Sequence, residues 1–176
     1  QYDVLTINTA AAFSGDVAVS TLNANANTDF GANAVDLKDA FNVGTGVTIT
    51  ASSADVTYSG ADQEVKALTY GSLTLSGSGD KTFAGNVTTG DLEISGTAVA
   101  KFGANTITVG GNFTGATDSN ADADEATFIY NGADQTVAGI KYGNLTLTGS
   151  GIKTAGDVNK NTLSTIDRSF KKRTFN

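Results

Sequence analysis

One unit is written into this chain more than once. YSGADQ at 58–63 returns as YNGADQ at 130–135, and FGAN at 30–33 returns at 102–105, both displaced by 72. Residues 30–82 align with 102–154 without a gap, and 24 of the 53 positions are identical. A chain written this way folds by stacking copies of one unit, each of which buries its apolar face on its neighbours. Upstream the match continues with four residues missing: YDVLTINT at 2–9 answers YGSLTLSG at 70–77 and YGNLTLTG at 142–149, and FSGDV at 13–17 answers FAGNV at 83–87. The repeats define a single β-repeat domain over 1–166, with units of about 1–57, 58–129 and 130–166. From Asp157 the pattern degrades, and the segment 167–176, DRSFKKRTFN, has no counterpart.

Within a unit, apolar residues alternate in short runs: Leu73 and Leu75, Phe83 and Val87, Leu92 and Ile94, Val99, Ile107 and Val109, Phe113, Phe128 and Tyr130, and Val137. Thr74, Glu93 and Thr108 fall between them, the polar phase of strands with one buried face. Gly-Ser-Gly at 77–79 and 149–151 supplies the positive φ that sharp corners need. With no Pro, Met, Trp, Cys or His, the palette of Thr, Val, Ile, Phe, Gly and Asn predicts an all-β fold. Nine strands per unit, grouped in threes, predict a parallel β-solenoid of about seven coils of about 24 residues, a rod of roughly 30–35 Å. An antiparallel β-sandwich accommodates the same strand spacing and stands as the alternative.

The wording SLTLSGSGDKTFAGNVTTGDLEISG at 72–96 and NLTLTGSGIKTAGDV at 144–158 resembles the repeats of large bacterial surface proteins, the filamentous-haemagglutinin-like and autotransporter-type adhesins. The resemblance covers roughly 55–160. It implies a right-handed β-solenoid that extends from a cell surface and binds hosts, neighbours or itself. It carries no functional residue onto a numbered position.

Without His or Cys, the usual general base, thiol nucleophile and transition-metal ligands are missing, and the expectation is a protein that is not an enzyme. Asp62 with Asp134, or Asp91 with Glu93, are the carboxylate pairs a glycosidase reading would use. The first two sit in the repeated Gly-Ala-Asp-Gln turn, where an Asp bonds its own backbone. The densest donor cluster is Asp118, Asn120, Asp122, Asp124 and Glu125. Its alternating start copies that of calcium loops, but Ala123 replaces the sixth-position Gly and Ile129 the bidentate Glu, so it reads as either a solvated loop tip or a weak Ca²⁺ site. Three glycosylation sequons, at Asn86, Asn112 and Asn144, match the number chance produces in so Asn- and Thr-rich a chain. The outward threonines read as ordinary strand surface, and the five tyrosines as core or rim.

Net charge is −7, split between a body of −10 over 1–166 and a tail of +3 over 167–176. An acidic body repels nucleic acid and anionic lipid, so neither is an expected partner, and no run approaches the length of a membrane helix. The start at Gln1 suggests a mature exported chain or a cut piece, and an extracellular location is expected. Phe170, Lys171, Lys172, Arg173 and Phe175 give the tail two alternatives: a cap over the last coil, or a connector that docks on the acidic surface of the next subunit and builds a head-to-tail filament. The function expected is a surface adhesin stalk or filament subunit, with a carbohydrate-binding module as the alternative.

Overall fold

The computed structural model describes residues 1–156, and in them the chain is a parallel β-solenoid with no helix. The strands run, in order, β1 (Tyr2–Ile7), β2 (Ala11–Ala12), β3 (Val17–Ala24), β4 (Thr28–Asp29), β5 (Ala34–Leu37) and β6 (Phe41–Val43). Then come β7 (Ile49–Tyr58), β8 (Gln63–Val65), β9 (Thr69–Leu75), β10 (Ser78–Phe83), β11 (Val87–Ile94) and β12 (Thr97–Lys101). The last six are β13 (Thr106–Val109), β14 (Phe113–Thr114), β15 (Ala121–Tyr130), β16 (Gln135–Val137), β17 (Tyr142–Leu147) and β18 (Lys153–Ala155).

The odd-numbered strands from β1 to β17 stack on the longer face, and each pairs in parallel with the strand one turn on. The second face is built from β2, β4 and the start of β7, then from β8, β10, β12 and the start of β15, then from β16 and β18. Its two breaks, after β7 and after β15, are separated by one full repeat. No antiparallel pair occurs among the described strands, which removes the sandwich.

The stack has about eight turns rather than seven. Tyr58 pairs with Leu75, 17 on in sequence, and Leu37 with Tyr58, 21 on, so a turn is shorter than the sequence pattern predicts. The difference comes from the long-face strands: β11 runs through a bend without breaking, its first half pairing with β13 and its second with β14. A turn therefore uses two strands instead of three, and one full repeat makes four turns instead of three. At about 4.8 Å per rung, eight turns give a rod of roughly 40 Å. The four residues missing from the first unit are also placed. Leu5 pairs with Leu22, 17 on, where Leu73 pairs with Leu92, 19 on; Val19 pairs with Leu37, 18 on, where Thr89 pairs with Val109, 20 on. Two successive turns are each two residues short.

Alternation fixes the core. Leu73, Leu75, Leu92, Ile94, Ile107 and Val109 are buried, while Thr74, Glu93 and Thr108 between them face out. Equivalent residues of successive repeats share a side as expected: Phe30 and Phe102, Phe41 and Phe113, and Tyr58 and Tyr130 are all interior. Val99 is a correction. In β12 the inward residues are Ala98 and Ala100, and Val99 is on the outer phase. Only small side chains fit there because the corner next to them is filled by Phe83 and Phe102, whose ring centroids are 4.7 Å apart. FGAN closes a corner: Gly31 and Gly103 turn the chain at positive φ, and the Asn33 and Asn105 amides donate to the carbonyls of Phe30 and Phe13, and of Phe102 and Phe83. Each asparagine thereby joins its own corner to the coil beneath.

Candidate functional site

The repeated YSGADQ motif is where the second face breaks, and every polar group in it holds one coil to another. The Gln63 amide donates to the Leu37 and Asp39 carbonyls of the coil below and accepts from the Gly60 N–H across its own turn; Gln135 does the same with Val109, Gly111 and Gly132. Asp62 accepts from the Asp80 N–H of the coil above, and Asp134 from that of Ile152. The carboxylates open to a glycosidase reading are thus corner fasteners, and Asp62 and Asp134 stand four turns apart. Asp91 and Glu93 lie on the outer side of β11, with Asp91 accepting from the Asn112 N–H.

Lys81 is the residue that sequence reasoning missed. Its side chain is fully enclosed, and its ammonium donates to three carbonyls, those of Gly60, Ala61 and Ser78. Lys153 makes the equivalent three bonds to Gly132, Ala133 and Ser150, with more water around it. Burial pushes the Lys81 ammonium below the ordinary lysine range, against the pull of the Asp62 and Asp80 carboxylates. The signal was present: GSGDK and GSGIK keep the lysine in both units while the residue before it changes.

The tyrosines pair within each unit. The Tyr58 and Tyr70 hydroxyls are 3.1 Å apart, those of Tyr130 and Tyr142 2.9 Å, and Tyr70 and Tyr142 donate onward to the carbonyls of Lys66 and Ala138. Burial raises all four phenols, Tyr58 to about 12. A group whose folded pKa lies above its unfolded value of 10.0 adds stability that is complete below pH 10 and lost as pH climbs through the folded pKa. Stability should hold to about pH 9.5 and fall steeply between about pH 10 and 12. In a titration followed at once by phenolate absorbance and far-ultraviolet dichroism, the buried tyrosines should ionise together with loss of the β signal. Ionisation of all four before unfolding would contradict this.

The acidic cluster does not converge. Asp122 and Asp124 point outward from β15 while Ala121 and Ala123 point in. Asp122 meets Lys101 at 3.3 Å, Asp124 meets Lys141, Asp118 accepts from the Lys141 N–H, and Asn120 closes its own turn onto Thr117 and Gly115. Glu125 is exposed beyond them. Among the described residues no three acidic side chains are gathered for a metal ion. Millimolar calcium is therefore expected to leave the melting temperature unchanged. A rise that disappears in Asp122→Ala would assign the cluster an ion after all.

The concave regions are shallow grooves on the outer surface, one of them between Lys101, Asp118, Asp122 and Lys141, another across Ser72, Thr74, Asp91 and Glu93. Asn86 and Asn112 use their side-chain oxygens to accept from the N–H groups of Thr106 and Thr136, and Asn144 donates to Thr127. Among the described residues no helix is long and apolar enough to cross a membrane. Phe170, Lys171, Lys172, Arg173 and Phe175 lie outside the described residues. The chain matches no protein-family model, no curated protein and no solved structure.

Proposed function

We propose that the chain is a non-enzymatic, extracellular structural protein, a rigid segment of a bacterial surface stalk of the adhesin kind. The observation that supports this is the use made of the repeat itself. Its tyrosines, glutamines, asparagines, buried lysine and turn aspartates all serve to join coil to coil, which is what a spacer requires. The wording of the repeats, which resembles that of surface adhesins, points the same way.

A second reading, the subunit of a head-to-tail filament, draws on the lower edge of β1. That strand pairs with β3 alone, and Tyr2 and Val4 are exposed there. Negative-stain images of the purified protein separate the two: isolated short rods are expected for a stalk segment, long fibres for a filament subunit. A glycan array tests both against a carbohydrate-binding module. Saturable, saccharide-specific binding that is lost on substituting Asp91 and Glu93 in the outer groove would replace the structural reading.

A further inference from the structure

The coil formed by β1 and β2 is an altered copy of two others in the molecule. Leu5, Thr6 and Ile7 answer Leu73, Thr74 and Leu75 of β9 and Leu145, Thr146 and Leu147 of β17, so Tyr2 stands where Tyr70 and Tyr142 stand. Those two tyrosines rest on a coil beneath and are each 2% exposed, whereas Tyr2 is 59% exposed. The next position differs in kind: Gly71 and Gly143 in the inner coils, Asp3 here.

Both glycines are pressed onto the bulge of the strand below. A Cβ on Gly71 would lie 2.7 Å from the backbone carbon of Ser53, and one on Gly143 would lie 2.6 Å from the carbonyl oxygen of Asp124. Neither obstacle is a flexible side-chain end, so neither can move aside without moving a strand. One turn above Gly71 the column again holds a glycine, Gly90, whose added Cβ would run into the Gly71 carbonyl. The lysine that clamps the turn below is also gone: Ala11 stands where Lys81 and Lys153 stand. Asp3 therefore obstructs two contacts. It cannot rest on a bulged strand such as β7 or β15. Nor can it rest on a second copy's β17, where matching Leu5 and Ile7 to Leu145 and Leu147 sets Asp3 on Gly143 as Gly90 sits on Gly71.

We infer that Asp3 closes the lower edge of the solenoid to a second copy of this chain, keeping an otherwise adhesive parallel edge from templating head-to-tail growth. A charged residue on an exposed edge is a known means to that end, and here it acts through its Cβ as well as its charge. The inference rests on the structural-rod reading and, within it, favours the stalk over the filament.

The chain has no cysteine, which makes the register directly testable. In a matched stack Thr6 of one copy and Thr146 of the next occupy adjacent rungs, about 4.8 Å apart, inside the range of about 4.4–6.8 Å that a disulfide spans. Within one molecule they are separated by the length of the rod. The full chain carrying Thr6→Cys and Thr146→Cys should give little disulfide-linked multimer under mild oxidation, and adding Asp3→Gly should raise the yield roughly tenfold. Separately, Gly71→Asp should lower the melting temperature by roughly 5 °C or more, while Gly15→Asp, at a glycine with open space around it, should change it little. Equal cross-linking with and without the Asp3→Gly substitution, whether high or low, overturns the inference. So does a Gly71→Asp chain that melts with Gly15→Asp. Failure of the rod reading would show instead as saccharide binding, which none of these measurements reads.

Discussion

Replacing Lys81 by alanine should destabilise the protein by about 3 kcal/mol or more, because it strands buried acceptors at the Gly60, Ala61 and Ser78 turns and opens a void beside them. For a chain of this size that is a fall in melting temperature of roughly 6–12 °C. Lys81→Met should recover part of the loss, since it restores the stem but not the donors. Lys153→Ala should cost clearly less, because water can reach the carbonyls that its partly exposed ammonium leaves. Denaturant melts of the three variants measure the order. Equal losses at 81 and 153 would show that the bonds, rather than their burial, set the cost.

Phe102→Ala is expected to lose about 3–5 kcal/mol. Phe102 is fully buried and meets three other rings, with centroids 4.7 Å from Phe83, 4.9 Å from Phe128 and 6.1 Å from Phe113. Its counterpart Phe30 is equally buried but meets two rings, Phe13 and Phe41, of which Phe13 is half-exposed. Phe30→Ala should therefore lose less. A Phe102→Leu chain that unfolds at the same denaturant concentration as Phe102→Ala would mean that the corner has collapsed around the smaller residue in both.

Much of the fold was legible because the repeat and the strand period carry it. The gapless match between repeats placed Phe30 with Phe102 and Tyr58 with Tyr130, and alternation at Leu73, Thr74 and Leu75 identified the inner phase. What could not be read was how strands group into turns. That depends on whether β11 bends or breaks between Thr89 and Leu92, and Gly90 permits either. Val99 was misplaced for a related reason: hydrophobicity favours the valine as the inward residue, but the space beside Phe83 and Phe102 admits only Ala98 and Ala100. Lys81 was hidden because a lysine in a polar corner is ordinarily solvated, and only the carbonyls that the coil below turns toward it make burial tolerable. At the acidic cluster, spacing along the chain suggested convergence. The β15 strand instead spreads Asp122 and Asp124 along its outer side, where each finds a lysine.

The parallel pairing has a mechanical consequence. Bonds between rungs lie along the rod, so a pull applied to its two ends loads them one rung after another instead of all together. Such a rod unspools from an end at low force, releasing one turn per step. A turn such as that from Leu73 to Leu92 yields roughly 65 Å of extended chain. The fasteners that reach across coils, Gln63 and Lys81 in one unit and Gln135 and Lys153 in the next, then act as stops spaced four turns apart. Tension would be shed in stages, and a tether made of such units would lengthen under load long before it parted.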